Sequence, residues 1–325
     1  MRRRTLDPPL PAAHEREVAH VVLEPPHAAA PVPRPHFDPK QGWFRRIERA
    51  TSLFLSRHVF PRLPGAAVPY GAILRAHLTV AEAEVPLADL PVSFDGATLL
   101  FISDIHAGPF LSVGELEHAL GRLATLNADV VIHGGDLTTS NVREAAVHRR
   151  ALSSLTAPLG VFAVLGNHDH YTRDVPGVSE LLASCGIRLL NNAAVALERG
   201  GARIALAGID DWNFGRPDLP RAVAEARQLV PRGPIVLASH NPDAFFDAAA
   251  AGVALTLSGH THGGQVRIPR RPVLVRMSRY RLDEGRYSRG EAQLVVSRGL
   301  GVSGIPMRIF CSPEALLVTL RAGRP

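Results

Sequence analysis

"TLLFISDIH", residues 98–106, decides the fold: a short apolar run ends on Asp104 and, two positions later, on His106. A run of this length bounded by a polar cluster reads as a buried strand. The same grammar recurs four times. "DVVIHGG" stops at Asp136, "VFAVLG" at Asn167, "IVLAS" at His240 and "VALTLSG" at His260. Helical patterns lie between several of these runs. In "SVGELEHALGRLATL", Ser112 reads as an N-cap, Glu115 completes a capping box, and Leu116, Leu120 and Leu123 share one face. Short apolar strands alternating with helices predict an α/β architecture. Each of the five strands delivers a metal-competent side chain at its C-terminal end, where open α/β sheets build their sites.

Collected in order, these ends are Asp104 and His106 from "SDIH", Asp136 from "HGGD", Asn167, His168 and Asp169 from "GNHD", His240 from "SHNP", and His260 and His262 from "GHTH". Any one of them alone is ordinarily a cap or a packed polar group. Five in succession, each closing a strand, are not independent accidents. In "SGHTHGGQ", residues 258–265, extended backbone would point positions i and i+2 the same way, so His260 and His262 can aim at one place.

The ordered set D-x-H, G-D, G-N-H-D, H and G-H-x-H resembles the calcineurin-like metallophosphoesterase superfamily over roughly residues 95–320. "GHTHGGQ", "SRGLGVSGIP" and "PEALLVTL" further resemble the bacterial branch of YkuE- and YaeI-type phosphoesterases. The resemblance implies a four-layer αββα sandwich, here with an N-terminal extension, whose loops hold two divalent metal ions. On the family pattern Asp104, His106 and His262 complete one ion, Asn167, His240 and His260 complete the other, and Asp136 bridges them. Gly134 and Gly135 would let the backbone approach closely, and Gly259, Gly263 and Gly264 would leave room for both ions. His168 would protonate the leaving oxygen, with Asp169 orienting its ring.

The chemistry of the set supports that assignment. Two carboxylates against two divalent cations leave a net positive site, and neutral Asn167 preserves the excess; such a site attracts phosphate and lowers the pKa of water. Nitrogen and oxygen donors without sulfur suit Mn, Fe, Zn or Co. Arg298, in "SRGLG", either holds a phosphate oxygen of the substrate or pairs with a carboxylate. Asp210 and Asp211, in "GIDDW", read as turn or cap residues before substrate contacts. His118 and His148 sit on helical patterns and are expected to face solvent, whereas His133 is expected to pack.

A hydrophobic fraction of 46% with 20% charged residues is an ordinary globular balance, and two cysteines without C-x-x-C spacing offer neither a thiolate metal site nor a disulfide framework. The charge is unevenly placed. Residues 1–63 hold ten Arg and Lys40 against six acidic residues; residues 267–289 hold eight Arg against Asp283 and Glu284; the remainder totals −5. A mildly acidic body argues against nucleic acid as partner and leaves room for a local anionic target.

Residues 1–40, rich in proline, read as a disordered or extended arm. Residues 41–69 read as a basic amphipathic helix, with Trp43, Ile47, Ala50 and Phe54 on one side, followed by a linker; the helix either packs on the domain from 70 to 325 or lies peripherally on an anionic bilayer. No signal-peptide h-region and no spanning segment is visible, so the expected location is cytoplasmic.

The segment 266–289 follows the last motif and mixes arginines with Val273, Leu274 and Val275. The expected activity is a phosphodiesterase or pyrophosphatase acting on a phosphoester substrate with a lipid-like or cell-envelope carrier. The alternatives are a nuclease of the same fold and a metal-binding scaffold without catalysis.

Overall fold

The computed structural model describes residues 2–5, 20–23, 68–269, 273 and 275–325, with isolated positions between 50 and 62. Its strands in chain order are β1 (Arg2–Thr5), β2 (His20–Val22), β3 (Thr79–Leu87), β4 (Thr98–Ile102), β5 (Val130–His133), β6 (Val161–Ala163), β7 (Arg188–Leu189), β8 (Ala193–Arg199), β9 (Ala202–Gly208), β10 (Ile235–Ala238), β11 (Leu255–Ser258), β12 (Gly285–Arg289), β13 (Ala292–Val296) and β14 (Glu314–Ala322). They form two seven-stranded sheets, ordered β1-β3-β14-β4-β5-β6-β7 and β2-β12-β13-β11-β10-β9-β8. In the first, β4, β5, β6 and β7 run parallel; in the second, β9, β10, β11 and β13 do.

Alternation along the strands explains why the sheets stack. In β4, Leu99 and Phe101 join the cluster between the sheets, where they meet Leu206, Val236 and Leu257 of the second sheet. Leu100 and Ile102 point the other way, into a cluster with Leu116, Leu120 and Leu123. The second sheet repeats the rule: Val236 and Ala238 of β10 face inward, while Ile235 and Leu237 pack with Ala222 and Ala226. A strand with period two that is apolar on both faces must be covered on both. The covering helices are α1 (Val68–His77), α2 (Val113–Ala124), α3 (Val142–Ala146), α4 (Arg149–Ser153), α5 (Asn167–Tyr171), α6 (Val175–Ser184), α7 (Leu219–Leu229) and α8 (Phe245–Ala250). The result is the expected helix–sheet–sheet–helix sandwich.

Helix α2 starts as read, with the Ser112 side chain accepting from Glu115 N. The reciprocal half of the capping box is replaced: the Glu115 carboxylate turns to Arg75 of α1, at 3.2 Å. Two short pieces of the N-terminal arm are extended. Residues 2–5 pair with β3 and residues 20–22 with β12, where open sheet edges accept extended chain. The remainder of the arm, and all but isolated residues of the amphipathic helix, lie outside the described residues, as do 270–272 and 274.

Candidate metal centre

The parallel strands of both sheets end at one rim of the sandwich, and their loops carry the candidate ligands into one buried cluster. Asp136 lies at its middle, after β5. Its Oδ2 is 3.5 Å from Nε2 of His106 and 3.3 Å from Nε2 of His240. On one side His106 and His262 bring their Nε2 atoms to 3.0 Å, and His262 Nε2 lies 3.4 Å from Asp104 Oδ1. On the other, His240 Nε2 lies 3.2 Å from Asn167 Oδ1 and 3.3 Å from His260 Nδ1. All seven side chains are buried. One set from the first sheet (Asp104, His106, Asp136, Asn167) thus meets another from the second (His240, His260, His262).

Backbone strain is concentrated here. Asp104, His106, Asp136, His260 and His262 all take positive φ, between 48° and 72°. Left-handed conformations at non-glycine residues cost about 1–3 kcal/mol each and persist where the surroundings impose them. The same angles correct the reading of "GHTH": the two histidines converge from a tight turn, not from extended backbone.

Two glycines show why the first-sheet loops can approach. A Cβ on Gly134 would fall 2.1 Å from the Phe101 ring, and one on Gly166 would fall 2.3 Å from Asp136 Oδ1. Gly263 and Gly264 act differently from expectation. Their Cβ positions are filled by Arg298 Cγ at 2.7 Å and Val273 Cγ1 at 2.2 Å, so they accommodate the packing behind the loop and not the space between the histidines.

Burial pushes the Asp104 carboxyl up to about 6, with the nearby Asp136 charge adding to the rise. Burial also holds His106 and His262 well below the ordinary imidazole value, so both rings are neutral near pH 7. Asp136 and His240 behave as a buried pair. Burial opposes both charges, but their mutual attraction prevails, keeping Asp136 ionised and His240 protonated.

The donor set fits divalent cations. Among the described residues, Asp104, His106 and His262 place one donor atom each within 4.8 Å of the others, and so do Asp104, Asp136 and His240. Neutral rings and ionised carboxylate are the forms that bind metal, so His240 must surrender a proton.

His168 stands at the edge of this cluster. Its ring packs edge-on against His106, with centroids 4.6 Å apart, and Nε2 lies 3.3 Å from Ser303 Oγ. The group that orients it corrects the sequence reading. Nδ1 donates to the Thr139 carbonyl at 2.7 Å, whereas Asp169 accepts from Thr138 N and Gly166 N and ties two loops together. Arg298 follows the carboxylate-pairing alternative: it is buried, and its Nε donates to Glu314 at 3.0 Å instead of opening toward substrate. Asp210 and Asp211 make the expected turn, and Asp210 also holds His170 at 2.6 Å. His133 is packed as expected, but His148 is buried rather than solvent-facing.

One residue of the site carries no sequence signal. Buried Arg308 donates to the carbonyls of Arg298, Gly299 and Gly301 at 2.6–3.1 Å and to that of His262 at 3.3 Å, and so knits the second-sheet loops into one piece. Beyond those loops, a cleft of about 410 Å³ is lined by Val21, Arg267, Val273, Tyr280, Arg281 and Tyr287 among others. Thr261, between the two loop histidines, donates to the carbonyl of Asp283 at its edge.

The sequence profile described as calcineurin-like phosphoesterase matches residues 97–264, which contain all seven clustered side chains. The chain belongs to the calcineurin-like phosphoesterase family. Within it, the chain is 28% identical over 265 residues to the uncharacterized metallophosphoesterase YkuE of Bacillus subtilis, covering 79% of this chain and 91% of that one. It is 36% identical over 252 residues to a transmembrane protein with metallophosphoesterase domain from Danio rerio, covering 74% of this chain but only 57% of that relative's length. Solved structures similar to it include the NAD nucleotidase of Haemophilus influenzae (TM-score 0.43, 14% identity, 63% of this chain and 50% of that one) and a dimetal phosphatase from Danio rerio (TM-score 0.37, 16% identity, 63% and 88%). Among the described residues of this calcineurin-like phosphoesterase, no helix is long and apolar enough to cross a membrane.

Proposed function

We propose that the chain is a dinuclear metal-dependent phosphodiesterase or pyrophosphatase. The observation that carries this reading is the position of Asp136: one carboxylate oxygen lies within 3.5 Å of a histidine from each half of the cluster. Asp104, His106 and His262 would hold one cation, Asn167, His240 and His260 the other, and Asp136 would touch both. Bound there, divalent cations supply Lewis acidity toward a phosphoryl oxygen and make water acidic enough to attack near neutral pH. The donors fit Mn, Fe, Zn or Co.

His168 is the group placed to move a proton. With Nδ1 committed to the Thr139 carbonyl, Nε2 is the ring nitrogen left to pass a proton to a leaving alkoxide. Asp169 supports this only indirectly, by fixing the loop turns on either side of the ring. The substrate is a phosphodiester or pyrophosphate on a lipid-like or cell-envelope carrier. The cleft beyond the histidine loop supports this choice, since Arg267, Arg276 and Arg281 outnumber Asp283 and Glu284 in its lining and Val273 and Tyr280 add apolar walls. A cytoplasmic location at a membrane surface belongs to the same proposal.

Hydrolysis of bis-p-nitrophenyl phosphate with added Mn²⁺ tests the activity. His168→Ala should lose roughly 10²–10⁴-fold in rate, and Asp136→Ala should lose both activity and metal. Wild-type rates in both variants would end the proposal.

A further inference from the structure

Large exposed apolar side chains sit on the segments that flank His168. The loop 303–310 exposes Ile305, Met307 and Phe310, the last 72% exposed, and Ile268 is exposed on the adjoining segment. Exposed Phe214 stacks edge-on against Tyr171, whose ring lies 4.8 Å from that of His168.

The loop is held in this display by specific bonds. Gln265 of the histidine loop accepts from Ser303 N at 2.9 Å and donates to the carbonyls of Ser303 and Ile305, both at 3.0 Å. Ile309 N donates to the Gln265 carbonyl at 3.1 Å, and Arg267 N donates to the Ile309 carbonyl at 2.9 Å. A rim tied down in this way while presenting aromatic and aliphatic groups to water marks an interaction surface.

Charge identifies what covers it. The sequence of 267–289 has eight Arg against two acidic residues; among its described residues Arg279 and Arg281 are exposed, while Arg267 and Arg276 pair with Glu284 and Asp283. Exposed apolar groups together with these exposed arginines match an anionic bilayer, where the former enter the acyl boundary and the latter meet headgroup phosphates. The acidic remainder of the body is a poor match for nucleic acid.

We infer that the rim formed by loop 303–310, Ile268 and Phe214 docks on an anionic lipid bilayer. Docking holds the mouth of the cleft against the interface, so that a phosphoester enters from the membrane; only this last clause rests on the phosphoesterase reading.

Co-sedimentation of the full chain with vesicles tests the inference, comparing pure phosphatidylcholine with phosphatidylcholine mixed with phosphatidylglycerol. Binding should favour the phosphatidylglycerol vesicles and weaken with salt. Phe310→Ser should reduce partitioning by roughly tenfold or more, as loss of a large inserted side chain implies. Ile305→Ser with Met307→Ser should act likewise, and Arg279→Glu with Arg281→Glu should abolish the lipid preference. The two rim variants, Phe310→Ser and Ile305→Ser with Met307→Ser, should keep wild-type turnover of soluble bis-p-nitrophenyl phosphate and wild-type thermal stability. Undiminished binding in the rim variants would overturn the inference. So would binding lost only with Phe54→Ser in the N-terminal segment, or light scattering showing that the rim instead mediates a lipid-free dimer. An inactive wild type that still binds vesicles through the rim would defeat the phosphoesterase reading and leave the docking surface standing.

Discussion

Gly166→Ala isolates the placement of Asp136 from every change in donor chemistry. Gly166 has φ −110° and ψ 177°, which any residue adopts, so the added methyl brings no backbone strain. It brings a collision: the new Cβ would lie 2.3 Å from Asp136 Oδ1, 2.5 Å from Asp136 N and 2.9 Å from Asp136 Cγ. Relief to ordinary contact distance requires a shift of roughly 1 Å in the carboxylate or its strand end. Overpacking of this kind costs about 1–3 kcal/mol, which for a domain of this size lowers Tm by roughly 2–12 °C. The same 1 Å displaces the central carboxylate and the His168 N–H that donates to it at 2.7 Å. Misplacement on that scale can cost about 10²-fold in rate. Steady-state kinetics on bis-p-nitrophenyl phosphate, calorimetric melting and titration with Mn²⁺ measure all three effects. Wild-type kcat/KM, Tm and metal affinity together would refute the claim that Asp136 is positioned by contact with the β6 loop.

Gly121→Ala is the opposite case: the residue lies inside α2 with nothing within 4 Å of its Cβ position, so the substitution should stabilise by about 0.5–1 kcal/mol, read as a higher Tm. Arg308→Ala strands the buried carbonyls of Arg298 and Gly301, while those of Gly299 and His262 keep donors in Glu314 N and Gln265 N, and should lower stability by about 2 kcal/mol or more in urea unfolding. The His170–Asp210 pair gives a pH signature. His170 is raised from 6.5 first by its hydrogen bond to Asp210, so its contribution is full below about 6.5 and fades as pH climbs through the raised value. Burial pushes Asp210 up, but His170 and backbone donors outweigh it and leave it below 3.8, so its share is lost only as pH falls through that depressed value. His170→Asn should therefore destabilise most near pH 5.5, by about 1.5–3 kcal/mol, and least at alkaline pH; a pH-independent difference would contradict the pairing.

The strands and the side chains that cluster at their ends were legible because both obey local rules: an apolar run has a period, and a metal-competent group closes it. Stacking of two sheets was less so, since nothing within "TLLFIS" says that Leu99 and Phe101 will meet β10 and β11 while Leu100 and Ile102 meet α2; there the resemblance carried the expectation. The partners of the site were hidden for a different reason. His168 is oriented by the carbonyl of Thr139, which any residue type could provide, so proximity in sequence favoured Asp169 wrongly. Arg308 binds carbonyls up to 46 positions away, and such contacts have no pattern in the chain. Arg298 was visible as a cation near the site, but its partner Glu314 lies in β14, and only the sheet register brings the two together.

The central claim is that seven side chains from loops of both sheets seat a pair of cations around Asp136. Anomalous diffraction from Mn²⁺-loaded crystals tests it most directly. The account predicts two peaks about 3.5–4 Å apart, with Asp136 touching both and His106 and His240 on opposite sides; a single peak, or metal bound away from Asp136, would contradict it.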